Sequence, residues 1–378
     1  ASDVYKRQLH ISKYYYPYLG GVENICKYLV DNMPEHKMAV LCFNEGRKDG
    51  VDEVDEVRVY RVGTWMNVAR QALSPTYFTM LRRALHEFQP DIIHFHWANP
   101  YPAAVLLTMI PRQVKLVVHW HMDIIQQKKI YPLIKPLEKR LLKRADIILV
   151  TSPHYRDGSR PLQPFLHKIV IVPNAINEQH LMRKSTQDDE TIAHIRQQYG
   201  GKPIVFFVGR HIPYKGLPHL LKAEHYIKSD CEIVVAGEGP LTERLKRQTS
   251  SRRVHFIGKI SDELLRCYLH ASRVFAFPSV TKNEAFGVAL AEAMYCHLPA
   301  VTFNIPGSGV NWVNENGVTG IEVANGNDEA FAQAIDTLLT NKEQYDRFSH
   351  AAFVRVSSHF LIQNMVDACE KAYQQLHV

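Results

Sequence analysis

"PIVFFVGRHIPYKGLPHLLKA", Pro203 to Ala223, decides the fold. An apolar run ends at Gly209, Arg210 and Lys215 flank a short turn, and Gly216 precedes a stretch of helical period. Such a run, without polar alternation, reads as a strand covered on both faces, and the whole as strand, loop, helix. The unit recurs along the chain. Strands are predicted at "QLHIS", "MAVLCF", "DIIHFHW", "KLVVHWH", "DIILV" and "KIVIVP", then at "PIVFFVG", "EIVVAG", "VHFIG", "VFAFPS" and "PAVTF". Helical stretches such as "SPTYFTMLRRALHEF" and "PLIKPLEKRLLKRA" fall between them. Strands alternating with helices specify α/β architecture with parallel, doubly wound sheets.

At 378 residues the chain exceeds one ordinary core, so two Rossmann-like domains are expected, facing each other across a cleft lined by the carboxyl ends of their strands. The join falls in "VPNAINEQH", where Pro173 and Asn174 close a strand. Residues 1–175 are expected to form an N-terminal Rossmann-like domain, 176–358 a C-terminal Rossmann-like domain, and 359–378 a C-terminal helix packing back toward the first. Residues 1–8 resemble translated adapter sequence and are set aside from the fold argument.

With 46% hydrophobic and 22% charged residues the composition is that of a globular protein, not a disordered one. No apolar run approaches the roughly 20 residues of a spanning helix, and no signal peptide is expected. Six scattered cysteines without a CxxC pair suit a reducing, cytoplasmic compartment. A formal net charge of +7 favours an anionic substrate or an anionic membrane surface. Nucleic acid is disfavoured, because no recognition module appears.

Arg210 and Lys215 can clamp a diphosphate, or stand as two solvated cations. Gly20 and Gly21, between a strand and a helix, permit close approach of an anion to the helix start, or mark an ordinary turn. In "KNEAFGVALAEAMY", Lys282 to Tyr295, a helix is expected to start near Phe286. The N–H groups of Phe286, Gly287 and Val288 would then be free to hold a phosphate. Glu284 precedes that helix and Glu292 lies about two turns into it, so one carboxylate can hold a transferred sugar and the other a ribose diol. His94, His96, His119 and His121, with Asp123, offer a metal site for a hydrolase, or polar strand ends around a sugar site.

Glu284-x7-Glu292, "GGVE" at Gly20–Glu23, "GRHIPYKG" at Gly209–Gly216 and the "PNAI" hinge at Pro173–Ile176 resemble family 4 of the retaining glycosyltransferases, of GT-B architecture. "HWHMDII" and "PGSGVNWVNENGVTG" are similar to bacterial transferases that build O-antigen and other surface polysaccharides, mannosyltransferases among them. The resemblance implies transfer of a hexose from a nucleotide diphosphate sugar, GDP-mannose first and UDP-hexoses next, to a hydroxyl of a glycan or polyprenyl-linked acceptor. It implies retention of configuration, with no cofactor and no metal. Glu284 and His121 then contact the donor sugar and Glu292 the ribose, and no protein nucleophile is assigned. Relatives carry HGTD or HGSD where this chain has "HWHMD", which leaves His119 and His121 as candidates; HxD variants in the polysaccharide subgroup favour His121. Within the fold, a nucleotide-sugar epimerase or glycoside phosphorylase is the alternative, and a noncatalytic nucleotide-sugar sensor is a third class.

The stretch "QQKKIYPLIKPLEKRLLKRAD" carries Lys128, Lys129, Lys135, Lys139, Arg140, Lys143 and Arg144. Ile130, Ile134, Leu137 and Leu141 repeat at helical spacing and are expected on the first sheet, with Pro132 and Pro136 confining the helix to the later part. The outward cations are a solvated face or a contact with the inner face of the cell membrane.

Overall fold

The computed structural model describes residues 6–18, 20–68, 71–124 and 130–376. The chain divides into two compact units, Ala1–Asn174 with Ile362–Val378, and Ala175–Leu361.

The first unit is built on β1 (Arg7–Ile11), β2 (Lys37–Asn44), β3 (Gly50–Val54) and β4 (Val57–Gly63). These are followed by a small hairpin of β5 (Met66–Val68) and β6 (Gln71–Leu73), then β7 (Ile92–Trp97), β8 (Lys115–Trp120), β9 (Ile147–Val150) and β10 (Ile169–Ile171). The main sheet runs β10-β9-β8-β7-β1-β2-β4-β3, parallel except for β3. Its central strands are buried along almost their whole length: every residue of β7 and β9 is buried, and six of eight in β2. That burial is why they read as unbroken apolar runs. Helices α1 (Gly21–Asp31), α2 (Tyr77–Phe88), α3 (Pro100–Met109) and α4 (Tyr131–Arg144) are the crossovers. The terminal helix, Ile362–Tyr373, belongs to this unit and is tied to it by a hydrogen bond of 3.1 Å between His36 Nε2 and the Glu370 carboxylate.

The second unit has one six-stranded parallel sheet, ordered β13-β12-β11-β14-β15-β16. Its strands are β11 (Ile204–Val208), β12 (Glu232–Ala236), β13 (Val254–Gly258), β14 (Val274–Phe277), β15 (Ala300–Phe303) and β16 (Gly320–Val323). Val205, Phe206, Val234, Phe275 and Val301 are fully buried at its centre.

Both sheets reverse their strand order once, between β1 and β7 in the first and between β11 and β14 in the second. The loops leaving such neighbours turn to opposite faces of the sheet, so a crevice opens at their carboxyl ends. The chemistry-bearing residues collect at those two points.

The structure corrects three local expectations. Arg7 and Gln8, set aside with residues 1–8, lie in β1, where Arg7 pairs with Asp91 at 3.2 Å. Strands β3, β4, β5, β6 and β16 were not foreseen. Helix α4 begins at Tyr131 and runs through Pro136, not only after it. Pro132 sits in its first turn, where N–H groups have no helical acceptor, so only Pro136 removes an internal bond.

Candidate active site

At the reversal point of the second sheet, β11 ends at Val208, and the chain passes through Gly209 into a single 3-10 turn, Pro213–Lys215. Gly216 closes that turn with φ of +66°, and a Cβ there would lie 1.7 Å from the carbonyl oxygen of Pro278, just past β14. Only glycine lets the two chain segments touch so closely. The amide of Val280 bonds the carbonyl of Tyr214 at 3.0 Å across the same contact. This apposition delivers Lys215 to Glu284: Nζ lies 2.5 Å from Oε2, and both side chains are mostly buried. Ser279 Oγ donates to the same carboxylate at 3.2 Å, while Ser308 Oγ donates to the Glu284 backbone carbonyl. Burial pushes the Lys215 ammonium down, but the charge of Glu284 outweighs it with help from Tyr214 and Glu292, so the pKa is raised on balance. Lys215 is therefore a fixed cation. Arg210 is exposed and makes no ion pair among the described residues.

The following helix starts later than expected. It spans Val288–Tyr295, with Gly287 as N-cap at φ of +93°, and its first internal bond runs from Ala291 N to Gly287 O at 3.1 Å. The N–H groups without a helical acceptor are thus those of Val288, Ala289 and Leu290, not the set from Phe286. The Phe286 ring is buried instead, edge-on to Phe360 at 5.3 Å and to Trp312 at 6.3 Å. Its hydrophobicity claims it for the core. Glu292 accordingly lies about one turn into the helix rather than two. Its carboxyl is half-buried and pushed up to about 7, by burial first and Asp262 second, against the pull of Lys215.

At the reversal point of the first sheet the histidines gather. His94 and His96 of β7, His119 of β8 and His121 just beyond it are joined by His10 of β1, which the sequence reading missed. Parallel register sets His10 beside His94 and His96 beside His119. All five are buried. His10 Nδ1 lies 3.2 Å from His96 Nε2, His96 Nδ1 2.9 Å from His121 Nε2, and His94 Nε2 3.1 Å from His119 Nδ1. His94 Nδ1 is 2.5 Å from the hydroxyl of Tyr373 on the terminal helix. Burial holds His10 and His121 down at about 3. The other three are depressed by burial and then by one another, so the cluster is neutral.

Potential ligand atoms of His10, Cys26 and His96, and of His94, His96 and His119, do lie within 4.8 Å of one another. The rings, however, face one another rather than a common centre: His96 lies coplanar with His121, edge to edge at 5.2 Å and 3°, and His119 stacks on His121 at 4.1 Å and 25°. Asp123 turns elsewhere, accepting from Trp120 Nε1 at 2.9 Å and Ser159 Oγ at 2.6 Å. Gly20 is the extended N-cap of α1 and Gly21 its exposed first residue, with nothing within 4 Å of the place a Cβ would take. Gly209, Lys215, Glu284 and the helix holding Glu292 come together in the second unit, and His121, Gly20 and Gly21 belong to the first.

Residues 19–180 match Glycosyltransferase Family 4, and residues 188–355 match Glycosyl transferases group 1. The chain is 29% identical over 376 residues to O-antigen chain mannosyltransferase C of Escherichia coli, covering 98% of both chains. It is 30% identical over 301 residues to D-rhamnosyltransferase WbpZ of Pseudomonas aeruginosa, 79% of this chain and 76% of that one. Among solved structures, Anabaena Alr3699/HepE in complex with UDP-glucose superposes with a TM-score of 0.78 at 19% identity, covering 98% of this chain and 100% of that one. The two sequence relatives are transferases, and the metal-hydrolase alternative drawn from the four histidines finds no support among them.

Proposed function

Because the chain belongs to glycosyltransferase family 4 and has the GT-B fold, we propose that it is a retaining hexosyltransferase. It moves mannose, from GDP-mannose in preference to a UDP-hexose, to a hydroxyl of a glycan or polyprenyl-linked acceptor. The observation that carries this reading is the buried Lys215–Glu284 pair beside the start of the Val288–Tyr295 helix. It places a fixed cation, a carboxylate and free N–H groups within one strand-end crevice, the donor set a sugar diphosphate requires.

In this mechanism Arg210, Lys215 and the N–H groups of Val288, Ala289 and Leu290 take the charge that grows on the leaving diphosphate, without a metal ion. Lys215 turns toward the phosphate as the donor binds. Glu284 is released by that movement to accept hydrogen bonds from sugar hydroxyls. Glu292 accepts from the ribose diol, and His121 hydrogen-bonds the donor sugar. The bond from C1 to the phosphate oxygen breaks through an oxocarbenium-like state. The acceptor oxygen attacks the same face, and its proton passes to the leaving phosphate.

The test is substitution of the cations. Arg210→Ala and Lys215→Ala should each remove about 3–4 kcal/mol of transition-state stabilisation, at least about a hundredfold in kcat, with activity insensitive to chelator. Activity abolished by chelator, with both variants silent, would sink the metal-free clamp. Thermal melts with a panel of nucleotide sugars identify the donor, since saturation at a hundredfold over Kd stabilises by roughly 2.7 kcal/mol.

A further inference from the structure

The buried histidines form two separate hydrogen-bonded series, and only one of them reaches His121. Tyr373, His94 and His119 make the first, which ends at His119 Nε2, buried and without a partner. His10, His96 and His121 make the second, which starts at His10 Nε2, also buried and without a partner.

The second series has a direction. A neutral imidazole carries one N–H and one bare nitrogen, so each member must donate one way and accept the other. If the proton of His10 sat on Nε2, an N–H would be buried with no acceptor. A bare lone pair in that place is the lesser loss, since orphaned donors are the rarer of the two in folded proteins. The His10 proton therefore sits on Nδ1, which has His96 Nε2 at 3.2 Å and Cys26 Sγ at 4.0 Å, and it points to the nearer and stronger acceptor, His96. His96 must then carry its own proton on Nδ1 and donate to His121 Nε2. With Nε2 occupied as an acceptor, the proton of neutral His121 is on Nδ1, the ring nitrogen that the series does not use.

We propose that His10 and His96 are positioning residues, which fix His121 in the Nδ1–H tautomer so that it presents a hydrogen-bond donor to the transferred sugar. The proposal rests on the reading of His121 as a donor-sugar contact. His121 lies coplanar with its hydrogen-bond partner His96 and stacks on His119, which holds the ring plane, so orientation and proton position are set together. The same geometry argues against a shared ion. Imidazoles bound to one metal each point a nitrogen at a common centre, whereas here His10, His96 and His121 point their nitrogens at one another, at 3.2 and 2.9 Å. The arrangement gives His10 and His96 a task although neither is proposed to touch the substrate.

The decisive measurement is long-range 1H–15N correlation NMR on the full chain labelled with 15N-histidine, which reads the tautomer of each ring without turnover. His121 should show a protonated Nδ1 and a bare Nε2 at pH 7. A proton on Nε2, a cationic ring, or one equivalent of transition metal retained on these nitrogens by the purified protein would overturn the proposal. His96→Leu, which can neither donate nor accept, should scramble the His121 tautomer and lower kcat at least about tenfold, with little change in KM. His96→Gln offers one acceptor and one donor in sequence and should restore part of the loss. Tyr373→Phe cuts only the other series and should leave the His121 signals unchanged. If His96→Leu does not fold, the tautomer of the unsubstituted protein still decides. Full turnover in His121→Ala would remove His121 from the sugar site without touching the tautomer result, so the two readings fail separately.

Discussion

Glu284 and Glu292 are the same residue type placed in different surroundings, which suits them to the different tasks proposed for them. Glu284 is paired with a cation and a hydroxyl, whereas Glu292 sits half-buried with its carboxyl near neutrality. In the proposed mechanism a ribose diol donates to the ionised carboxylate, so its binding would have to deprotonate whatever fraction of Glu292 is neutral. With a free-enzyme pKa of about 7, nucleoside diphosphate affinity should fall about tenfold between pH 8 and pH 6. The diphosphate itself titrates near the lower end of that range. Titration calorimetry on Glu292→Gln supplies the baseline: that variant should bind more weakly at pH 8 and keep only the ligand's own pH slope. Glu284→Ala should leave binding of the free diphosphate intact, since it releases Lys215 rather than removing it, while turnover collapses. Equal losses of affinity in the two variants would sink the division of roles. The polar residues themselves were legible because each follows an apolar run directly. The Lys215–Glu284 pair was not, for it depends on Gly216 meeting Pro278, a contact between segments distant in sequence. His10 was missed for a related reason: a lone histidine in "QLHIS" carries no signal until parallel register sets it beside His94.

At the scale of elements, apolar periodicity found the central strands and failed at the edges. β3 is an exposed, charged edge strand, and its two-residue connection to β4 uses Asp55 and Glu56 at φ of 49° and 66°. Hairpins of that geometry usually advertise themselves with Asn-Gly or Asp-Gly, so Asp-Glu hid this one. Helix α4 departs from expectation in its buried face. Leu141, Leu142 and Glu138 are buried, while Ile130 is exposed and Ile134 and Leu137 only half-buried. Glu138 receives a hydrogen bond from Tyr131 at 2.9 Å on one oxygen, and its other oxygen is buried without a partner. Burial raises its carboxyl from 4.5 to about 7, with Tyr131 opposing. The folded state thus holds this proton more tightly than the unfolded state does. Its contribution declines as pH rises from about 4.5 to about 7 and stays low above that. The shift corresponds to about 3 kcal/mol of strain at pH 8. Glu138→Gln should accordingly raise the urea midpoint clearly at pH 8 and hardly at pH 5. An equal gain at both would show that the carboxyl is not strained by burial.

The whole molecule carries a formal charge of +7, and α4 concentrates part of it. Lys135, Lys139, Arg140 and Lys143 are exposed along that helix, together with Leu133 at 80% exposure. Lys128 and Lys129 lie outside the described residues. Arg144, grouped with them on sequence, has a structural task instead: it pairs with Asp146 at 3.0 Å and bonds the carbonyl of Val114 at 2.7 Å, securing the connections around β8 and β9. No helix among the described residues is long and apolar enough to cross a membrane. Surface attraction remains, at about 1 kcal/mol for each basic residue near an anionic leaflet, so these four cations supply roughly 4 kcal/mol, which salt screens. The hypothesis is reversible, peripheral docking of the first unit on anionic lipid, bringing the enzyme to a polyprenyl-linked acceptor. Sedimentation with neutral and anionic liposomes at low and high salt tests it. The protein should pellet only with anionic lipid at low salt. Reversing charge at Lys135, Lys139, Arg140 and Lys143 together should abolish pelleting while leaving donor hydrolysis intact, because none of them bears on the sugar-nucleotide site. Arg144 is spared in that variant, since its loss would loosen the fold and confuse the reading. Unsubstituted protein left in the supernatant with anionic lipid at low salt would make the basic face a solvated surface and point to a soluble acceptor.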